Sequence, residues 1–266
     1  MSGINPNILA TRVARLLVKF QDDLGNTLDV SGTGFWVKNS SRSFFITNRH
    51  NLDATLKLGP DTKYKIVEVA IQLRRCKGDQ YFAETLFGQC DAPEIRLHAT
   101  ADVGAICEPK YKNDTSGFGH DAIRTEEIAT QDFLATGVAP MDFASFIGFP
   151  GRSSEPWWDK AWEMAIARTV NIASLPAIRY SNPAVLTGDV MLVSGLSFSG
   201  SSGSPVILHS KGIKLGGALT GGNYVPAKVI GIMSGHWWND EPRDGMFFHS
   251  GLSYLTRSTA IHDVVG

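Results

Sequence analysis

The sequence predicts an all-β protein that is built from many short strands. Of its 266 residues, 27 are glycine and 12 are proline, a content typical of chains that turn often. Apolar and more polar residues alternate from Val67 to Arg74, which is the period-two pattern of a half-buried strand. Clusters of Gly, Pro, Asn or Ser separate most of the similar segments. Together these observations favour β structure over a helical fold.

Further strands are predicted on both sides of this segment. Lys77, Gly78 and Asp79 predict a turn, and Tyr81–Leu86 is the expected returning strand of a hairpin. The other predicted strands are short apolar or alternating runs. They are Thr27–Val37, Phe44–Thr47, Glu94–Leu97, Val103–Cys107, Phe143–Ile147, Met164–Ile172, Val190–Val193, Pro205–Leu208 and Val229–Met233.

The two ends of the chain have a different pattern. Near the amino end, apolar residues recur at helical spacing: Leu9, Val13, Leu16, Leu17 and Phe20. This segment is compatible with a short helix, a strand, or one running into the other. At the other end, Ser258–Val265 predicts a short closing helix.

A polar, turn-rich stretch from Glu108 to Gly137 is the best candidate for a linker. It shows little apolar periodicity, and cutting there leaves two halves of comparable size with about six predicted strands each. We therefore expect an amino-terminal unit over residues 1–115, a linker over 116–137 and a carboxy-terminal unit over 138–266.

Composition argues against several functions. The 25 Lys and Arg residues balance 26 Asp and Glu residues to a net charge of -1, so there is no electrostatic reason to expect nucleic acid or an anionic membrane as a partner. No window approaches the roughly 18 apolar residues of a membrane span, and the first residues contain no signal peptide. These observations predict a soluble, cytoplasmic protein.

The three cysteines, Cys76, Cys90 and Cys107, predict a reducing compartment, because an odd number cannot form a fully paired disulfide framework. Small buried thiols are favoured over a single bridge between Cys76 and Cys90. The histidines show no metal-ligand spacing with cysteines or carboxylates, so no metal and no other cofactor is expected.

The most informative segment runs from Gly200 to Val206 and sets serines between glycines. A serine hydroxyl attacks a carbonyl group only when a base takes its proton and donors await the oxyanion. Glycines beside Ser202 let the backbone turn sharply, so that the N–H groups of Gly200 and Ser202 face one point. The segment predicts either a nucleophile with its oxyanion hole or a plain Gly/Ser turn before a strand.

A histidine and an aspartate are candidates for the base that takes the serine proton and for the carboxylate that holds this base. His50 follows an apolar strand, where its ring is held by a rigid element and stays accessible. Asp102 begins a small apolar strand, and a buried carboxylate needs a strong donor such as a histidine N–H. A structural histidine and a turn or capping aspartate are the alternatives, and Asp53 and Asp121 are rival carboxylates.

These three residues occur in the order His, Asp, Ser, and other short motifs accompany them. At this point the chain resembles the trypsin-like (chymotrypsin-fold) serine peptidase family, in particular its bacterial-type members without disulfides. The likeness extends over most of the chain through seven segments in family order. They are Ser31–Phe35, Thr47–His50, Asp102–Ile106, Phe146–Gly151, Gly200–Pro205, Val229–Gly235 and Gly251–Tyr254.

The resemblance implies two six-stranded antiparallel β-barrels with an active site in the cleft between them. It implies that His50 is the general base, that Asp102 orients its ring, and that Ser202 is the nucleophile. The N–H groups of Gly200 and Ser202 would form the oxyanion hole. Ser234 and Gly235 would line the groove that holds the substrate backbone.

Several positions bear on activation and specificity. Ser201 stands where zymogen members of the family have an Asp that pairs with a freshly cleaved amino terminus, so activation by trimming is disfavoured. Leu196 stands at the expected floor of the specificity pocket and, with Ser197 and Met233 beside it, predicts a preference for medium apolar or small side chains. His236 is a further neighbour of this pocket. Alternatively it pairs with an acidic side chain, or it is a partly exposed loop histidine.

The sequence thus predicts a serine endopeptidase that hydrolyses protein or peptide substrates without a cofactor. A regulatory partner protein or substrate-induced ordering of the loop Leu196–Gly200 is the expected means of control. The alternative is a binding or regulatory module on the same fold that is catalytically silent or active only with a partner.

Overall fold

The computed structural model describes residues 11–77, 80–152, 155–180, 189–212, 224–238 and 248–266, and strands dominate them. The prediction of a mainly β protein is confirmed. The predicted turn at Gly78 and Asp79 lies outside the described residues, as does Leu9. Within the described ranges, no helix is long and apolar enough to cross a membrane.

The amino-terminal half forms one sheet of nine strands. They are β1 (Val13–Gln21), β2 (Thr27–Lys38), β3 (Ser43–Thr47), β4 (Lys65–Lys77), β5 (Gln80–Gln89), β6 (Glu94–Leu97), β7 (Gly104–Cys107), β8 (Phe118–Gly119) and β9 (Ile123–Arg124). Seven lie in the order β5-β4-β1-β2-β3-β7-β6, while β8 pairs with β4 and β9 with β2. No pairing of described residues joins the edge strands β5 and β6, so closure of this sheet into a barrel stays a prediction.

The amino-terminal segment with helical spacing is strand β1. It is a central strand, paired with β2 on one side and β4 on the other. From Val13 to Leu16 every residue is buried, so both faces of the strand are covered. Apolar residues on both faces imitate a helical period, which explains why the sequence left this segment open.

The carboxy-terminal half contains a closed antiparallel barrel with the strand order β10-β13-β14-β17-β16-β15. Its strands are β10 (Phe143–Gly148), β13 (Ile166–Ile172), β14 (Val190–Ser194), β15 (Pro205–Leu208), β16 (Val229–Trp238) and β17 (His249–Arg257), while β11 (Gly151–Arg152) and β12 (Glu155–Pro156) form a ribbon. Strand β17 was not predicted, because buried Ser253, Thr256 and Arg257 interrupt its apolar pattern.

Three short helices complete the described fold: α1 (Thr55–Leu58), α2 (Gln131–Gly137) and α3 (Thr259–Val265). The predicted closing helix is confirmed by α3. The predicted linker, residues 116–137, contains β8, β9 and α2. The apolar residues Ile123, Ile128 and Leu134 of this segment are fully buried. They are isolated in the sequence, so they show neither a helical nor a strand period.

A shared apolar cluster packs the two halves together. It contains Phe35 of β2, Phe149 after β10, Ile232 of β16 and Ile261 of α3, all of them buried. Two further clusters fill the closed barrel and the first sheet separately. Because dense packing resists displacement, the shared cluster holds the loops of one half in a constant position against the strands of the other.

Acid should weaken the first sheet through His120. This ring stacks on the buried ring of Trp36, with centroids 3.5 Å apart, and the charged groups near it are Asp121 and Lys38. Burial lowers the pKa of His120 to about 4 from its usual 6.5, so between these values the unfolded chain binds more protons than the folded one. Stability is therefore present above about pH 6.5 and is lost toward about pH 4.

A His120→Phe variant, which keeps a stacked ring without titrating, measures this contribution. Urea denaturation from about pH 7 to about pH 4.5 should show the wild type losing about 2 kcal/mol more free energy of unfolding than the variant. All other residues are the same in the two proteins, so their contributions cancel in the difference. Parallel pH curves for the two proteins would contradict the prediction.

Candidate active site

His50 and Asp102 form a close pair at one edge of the first sheet. His50 lies in the 3-10 turn Arg49–Asn51 after β3, and Asp102 lies just before β7. Because β3 pairs with β7, with Thr47 opposite Gly104, the two residues are brought together. His50 Nδ1 lies 2.7 Å from Asp102 Oδ2, and the His50 amide donates to Asp102 Oδ1 over 2.9 Å. One residue thus engages both carboxylate oxygens.

This arrangement selects a tautomer and rejects the rival carboxylates. Asp102 is only 8% exposed, and a carboxylate that accepts from Nδ1 leaves Nε2 of the ring free to act as a base. Asp53 instead accepts from Arg49 over 2.8 Å. Asp121 accepts from Arg12 over 2.7 Å. Of the three candidate carboxylates, Asp102 is the partner of His50.

Asn48 supports the pair in a way that sequence reasoning missed. Its side chain is fully buried, and its Nδ2 donates to the Asp102 carbonyl oxygen over 2.8 Å and to Ser234 Oγ over 2.9 Å. It therefore connects the residue that precedes β7 to strand β16 of the other half. Asn48 belongs to the motif Thr47–His50, but nothing in the motif indicates what the amide contacts.

The loop that carries Ser202 depends on two glycines. Gly200 has φ 84° and Gly203 has φ 93°, in the left-handed region that glycine adopts without strain. A Cβ atom on Gly203 would lie 1.7 Å from the carbonyl oxygen of Thr33, so no larger residue fits there. The predicted sharp turn around Ser202 is present, and it touches strand β2 of the other half.

Thr33 joins this loop to the first sheet. Its amide donates to the Ser202 carbonyl oxygen over 2.9 Å, and its Oγ1 donates to the Gly200 carbonyl oxygen over 2.7 Å. The same Oγ1 accepts from the Phe149 amide over 3.0 Å. Thr33 is fully buried, so these bonds are shielded from water. In the sequence, Thr33 is notable only as the residue between the two glycines of the motif Ser31–Phe35.

His50, Asp102 and Ser202 line one cavity of about 280 Å³, with Ser234 and Tyr254 among its other walls. The structure thus brings together the three predicted residues from both halves. No hydrogen bond joins the Ser202 hydroxyl to the His50 ring in this structure. In ligand-free sites such contacts are often long and shorten when substrate binds. A larger cavity, of about 390 Å³ over β1, β2 and β4, is lined by no histidine or cysteine.

The amides predicted to form an oxyanion hole are unused by the part of the chain that the structure describes. Neither the Gly200 N–H nor the Ser202 N–H donates to a described residue. The amides between and after them are used: Ser201 N–H donates to Phe198 over 2.9 Å, and Gly203 N–H donates to Met233 over 3.0 Å. Spare donors on both sides of a serine hydroxyl suit a developing oxyanion.

The residues predicted to bind substrate border the same region. Ser197, Gly235 and His236 line a second cavity, of about 190 Å³, which Ser202 also borders. Ser234 lines the first cavity, while its hydroxyl is held by Asn48. These positions agree with a groove along β16 that leads to Ser202.

Leu196 lies elsewhere than the sequence led us to expect. It is 50% exposed and lines neither of the two cavities beside Ser202. In the loop after β14 the neighbouring Ser197 turns inward instead and is only 1% exposed. Leu196 therefore does not form the floor of either cavity, and Ser197 contributes to the wall of the second one instead.

Possible metal ligands and thiols were compared with the cavity across the described part of the chain. No group of three or more His, Cys, Asp or Glu residues in the described ranges is arranged to hold a metal ion. The three cysteines are free, and both Cys90 and Cys107 are buried, as predicted for small core thiols. Burial raises the pKa of Cys90 to about 12, so this thiol stays protonated and unreactive at neutral pH.

Comparison with known proteins assigns no family to the chain, since no protein-family model and no curated protein matches it. Its function has to be inferred from the arrangement of its own residues.

Replacing Thr33 by valine should loosen the Ser202 loop. The substitution keeps the shape of the side chain but removes Oγ1, so the Gly200 carbonyl and the Phe149 amide lose a buried partner. We expect the free energy of unfolding to fall by about 2 kcal/mol in urea denaturation. Thr27→Val, at an exposed position of the same strand, is the control and should change it by less than about 0.5 kcal/mol. Equal losses in both variants would contradict the assigned role.

Proposed function

We propose that the protein is a trypsin-like serine endopeptidase that hydrolyses protein or peptide bonds through an acyl-enzyme, without a cofactor. The observation that carries the proposal is the cavity in which Ser202 meets His50, whose ring lies 2.7 Å from Asp102. A nucleophile, a base and a group that orients the base are the parts that nucleophilic acyl transfer requires.

In the proposed reaction, Ser202 Oγ attacks the carbonyl carbon of the scissile bond while its proton passes to His50 Nε2. The tetrahedral intermediate collapses when the C–N bond breaks and the leaving amine takes that proton. Water then attacks the acyl-enzyme, again with His50 as the base, and the acid product leaves. Asp102 holds the ring tautomer throughout and stabilises the imidazolium.

Backbone groups would stabilise the transition state. The unused N–H groups of Gly200 and Ser202 are the proposed oxyanion hole, each worth about 3 kcal/mol when charge develops on the oxygen. Ser234 and Gly235 of β16 are the proposed groove in which the substrate backbone lies as an added strand.

The finer architecture belongs to the same proposal. We take the nine-stranded sheet as a second barrel of the chymotrypsin-like pair, with units 1–115 and 138–266 joined by residues 116–137. The buried cluster shared by Phe35 and Ile232 supports this division, because it packs one unit on the other.

A second candidate is a binding or regulatory module that is silent or becomes active only with a partner protein. The observation that favours it is the absence of a hydrogen bond between the Ser202 hydroxyl and the His50 ring. A partner that moves the serine loop would then complete the site.

A fluorophosphonate probe tests the nucleophile directly. It should form an adduct on Ser202 of the folded wild-type protein, detected by mass spectrometry, because it reacts with activated serines. Ser145→Ala is a matched control, since Ser145 Oγ lies 2.7 Å from His209 Nε2 in an exposed Ser–His pair that lacks a carboxylate among the described residues. Labelling should survive in Ser145→Ala and vanish in Ser202→Ala. A folded wild type that takes up no probe would favour the silent module.

Asp102→Asn should lower kcat for casein cleavage by about 10⁴-fold, because the amide no longer holds the His50 ring in the basic tautomer. Asp53→Asn removes a nearby carboxylate that accepts a hydrogen bond from Arg49. This variant should lower kcat by less than about tenfold. Comparable losses in the two variants would mean that Asp102 acts only as a structural residue.

A further inference from the structure

The cavity of about 190 Å³ beside Ser202 is polar, with Ser197, Ser201 and His236 in its walls. Gly235 and Met233 of β16 form part of the remaining surface. Among the residues that the structure describes, no carboxylate lines it. A side chain that enters this space therefore meets hydroxyl and imidazole groups as well as the aromatic rings of Phe198, Trp238 and Tyr254.

A partly buried cation lies directly behind this wall. Arg168 of β13 donates from Nη2 to Ser201 Oγ over 2.5 Å and from Nη1 to the Leu196 carbonyl oxygen over 3.4 Å. Its guanidinium carbon lies 4.4 Å from the ring centroid of Phe146 and 5.5 Å from that of Phe198. Ser201 and Phe198 both line the cavity, so the guanidinium contacts two residues of its wall.

This cation lacks an anionic partner. Within the described ranges Arg168 takes part in no ion pair, and its buried Nε atom has no hydrogen-bond acceptor. Burial lowers the pKa of Arg168 to about 10, so the guanidinium stays charged at neutral pH. A charge that is removed from water without a counter-ion is costly, and an anion placed nearby relieves that cost.

His236 adds a directed donor to the cavity. Ser197 Oγ lies 3.4 Å from its Nδ1 and equally far from the Gly235 carbonyl oxygen, and its buried Nε2 has no partner among the described residues. When Ser197 donates to Nδ1, the proton of the neutral ring lies on Nε2 and needs an acceptor. The ring is held in place by stacking on His249, with centroids 4.4 Å apart. Burial and His249 lower the pKa of His236 to about 4, so it serves as a neutral donor at pH 7.

We propose that this cavity accepts an acidic side chain, so that the protein cleaves after Glu or Asp. Arg168 would supply the balancing positive charge from behind Ser201, and His236 Nε2 would donate to the carboxylate. The proposal rests on the peptidase function above and names its substrate class. It replaces the preference for small or apolar side chains that Leu196 led us to expect and selects the alternative in which His236 pairs with an acid.

The other classes of side chain satisfy fewer of these groups. A Lys or Arg side chain would bring a second cation close to Arg168 without a counter-ion. An apolar side chain would leave His236 Nε2 unpaired. A Gln side chain would accept from His236 but would not balance the charge, which makes Gln the most informative comparison with Glu.

The first experiment uses wild-type protein and peptides that differ only in the residue before the scissile bond: Glu, Asp, Gln, Leu or Lys. We expect kcat/KM for Glu to exceed that for Gln by about 30-fold and to exceed that for Lys by more, as charge-assisted hydrogen bonds allow. Fluorophosphonate labelling of Ser202 in the same sample tests the peptidase proposal separately. Labelling combined with equal rates for Glu and Gln would overturn the specificity proposal alone.

Two variants connect the preference to the named residues. Arg168→Gln should reduce the ratio of kcat/KM between the Glu and Gln substrates by about tenfold or more, and Arg168→Lys should restore part of it. Arg75→Gln removes the same charge from an exposed ion pair with Glu84 and should leave the ratio unchanged. His236→Phe keeps the ring stack and should lower the Glu rate by about tenfold. A merely structural role of Arg168 would lower all rates without changing the ratio.

A binding measurement tests the preference for an acidic side chain even if the protein does not turn over substrate. Calorimetric titration of Ser202→Ala with otherwise identical peptides that end in Glu or Gln should show at least about tenfold tighter binding of the Glu peptide. Both peptides carry the same terminal carboxylate, so only the side chain differs. Equal affinities would overturn the proposal even for a catalytically silent protein.

Discussion

The contact between Thr33 and the serine loop is the interaction on which the site depends. A strand of the first sheet donates its amide to the Ser202 carbonyl oxygen, and the Thr33 hydroxyl donates to Gly200. These bonds form only because Gly203 lacks a side chain and lets the two backbones approach. Since His50 and Asp102 belong to that first sheet, the same contact sets the distance between the proposed base and the proposed nucleophile.

Two charges of opposite sign lie near Ser202, the buried Asp102 and the partly buried Arg168. On one side Asp102 engages the His50 ring and amide, so its charge is satisfied within the protein. On the other side Arg168 bonds to a neutral hydroxyl and a carbonyl oxygen and has no described counter-ion. The satisfied charge suits a group that positions a base. The unsatisfied charge suits a group that waits for a ligand, which is why we assign the two sides different roles.

Much of the site was predictable because its residues lie where strong local patterns end. His50 follows the apolar strand Phe44–Thr47, Asp102 precedes an apolar strand, and Ser202 sits between glycines. The sequence does not indicate that Leu196 lies outside the cavities or that Arg168 contacts Ser201, because the direction of a loop side chain and the partner of a barrel residue produce no pattern in the neighbouring sequence. Strand β17 lacks a clear apolar pattern for a related reason, since its buried Ser253, Thr256 and Arg257 form hydrogen bonds with residues far away in the chain.

By itself, the sequence determined that the chain forms short strands and that one histidine, three carboxylates and one glycine-framed serine were candidates for chemistry. The tertiary structure decided which carboxylate faces His50, that Ser197 rather than Leu196 turns inward, and that a cation lies behind Ser201. The physical reason is that apolar periodicity and glycine content report the burial and turning of single segments. The deciding contacts join residues far apart in the chain, such as His50 and Asp102, and form only when sheet pairing brings those segments together.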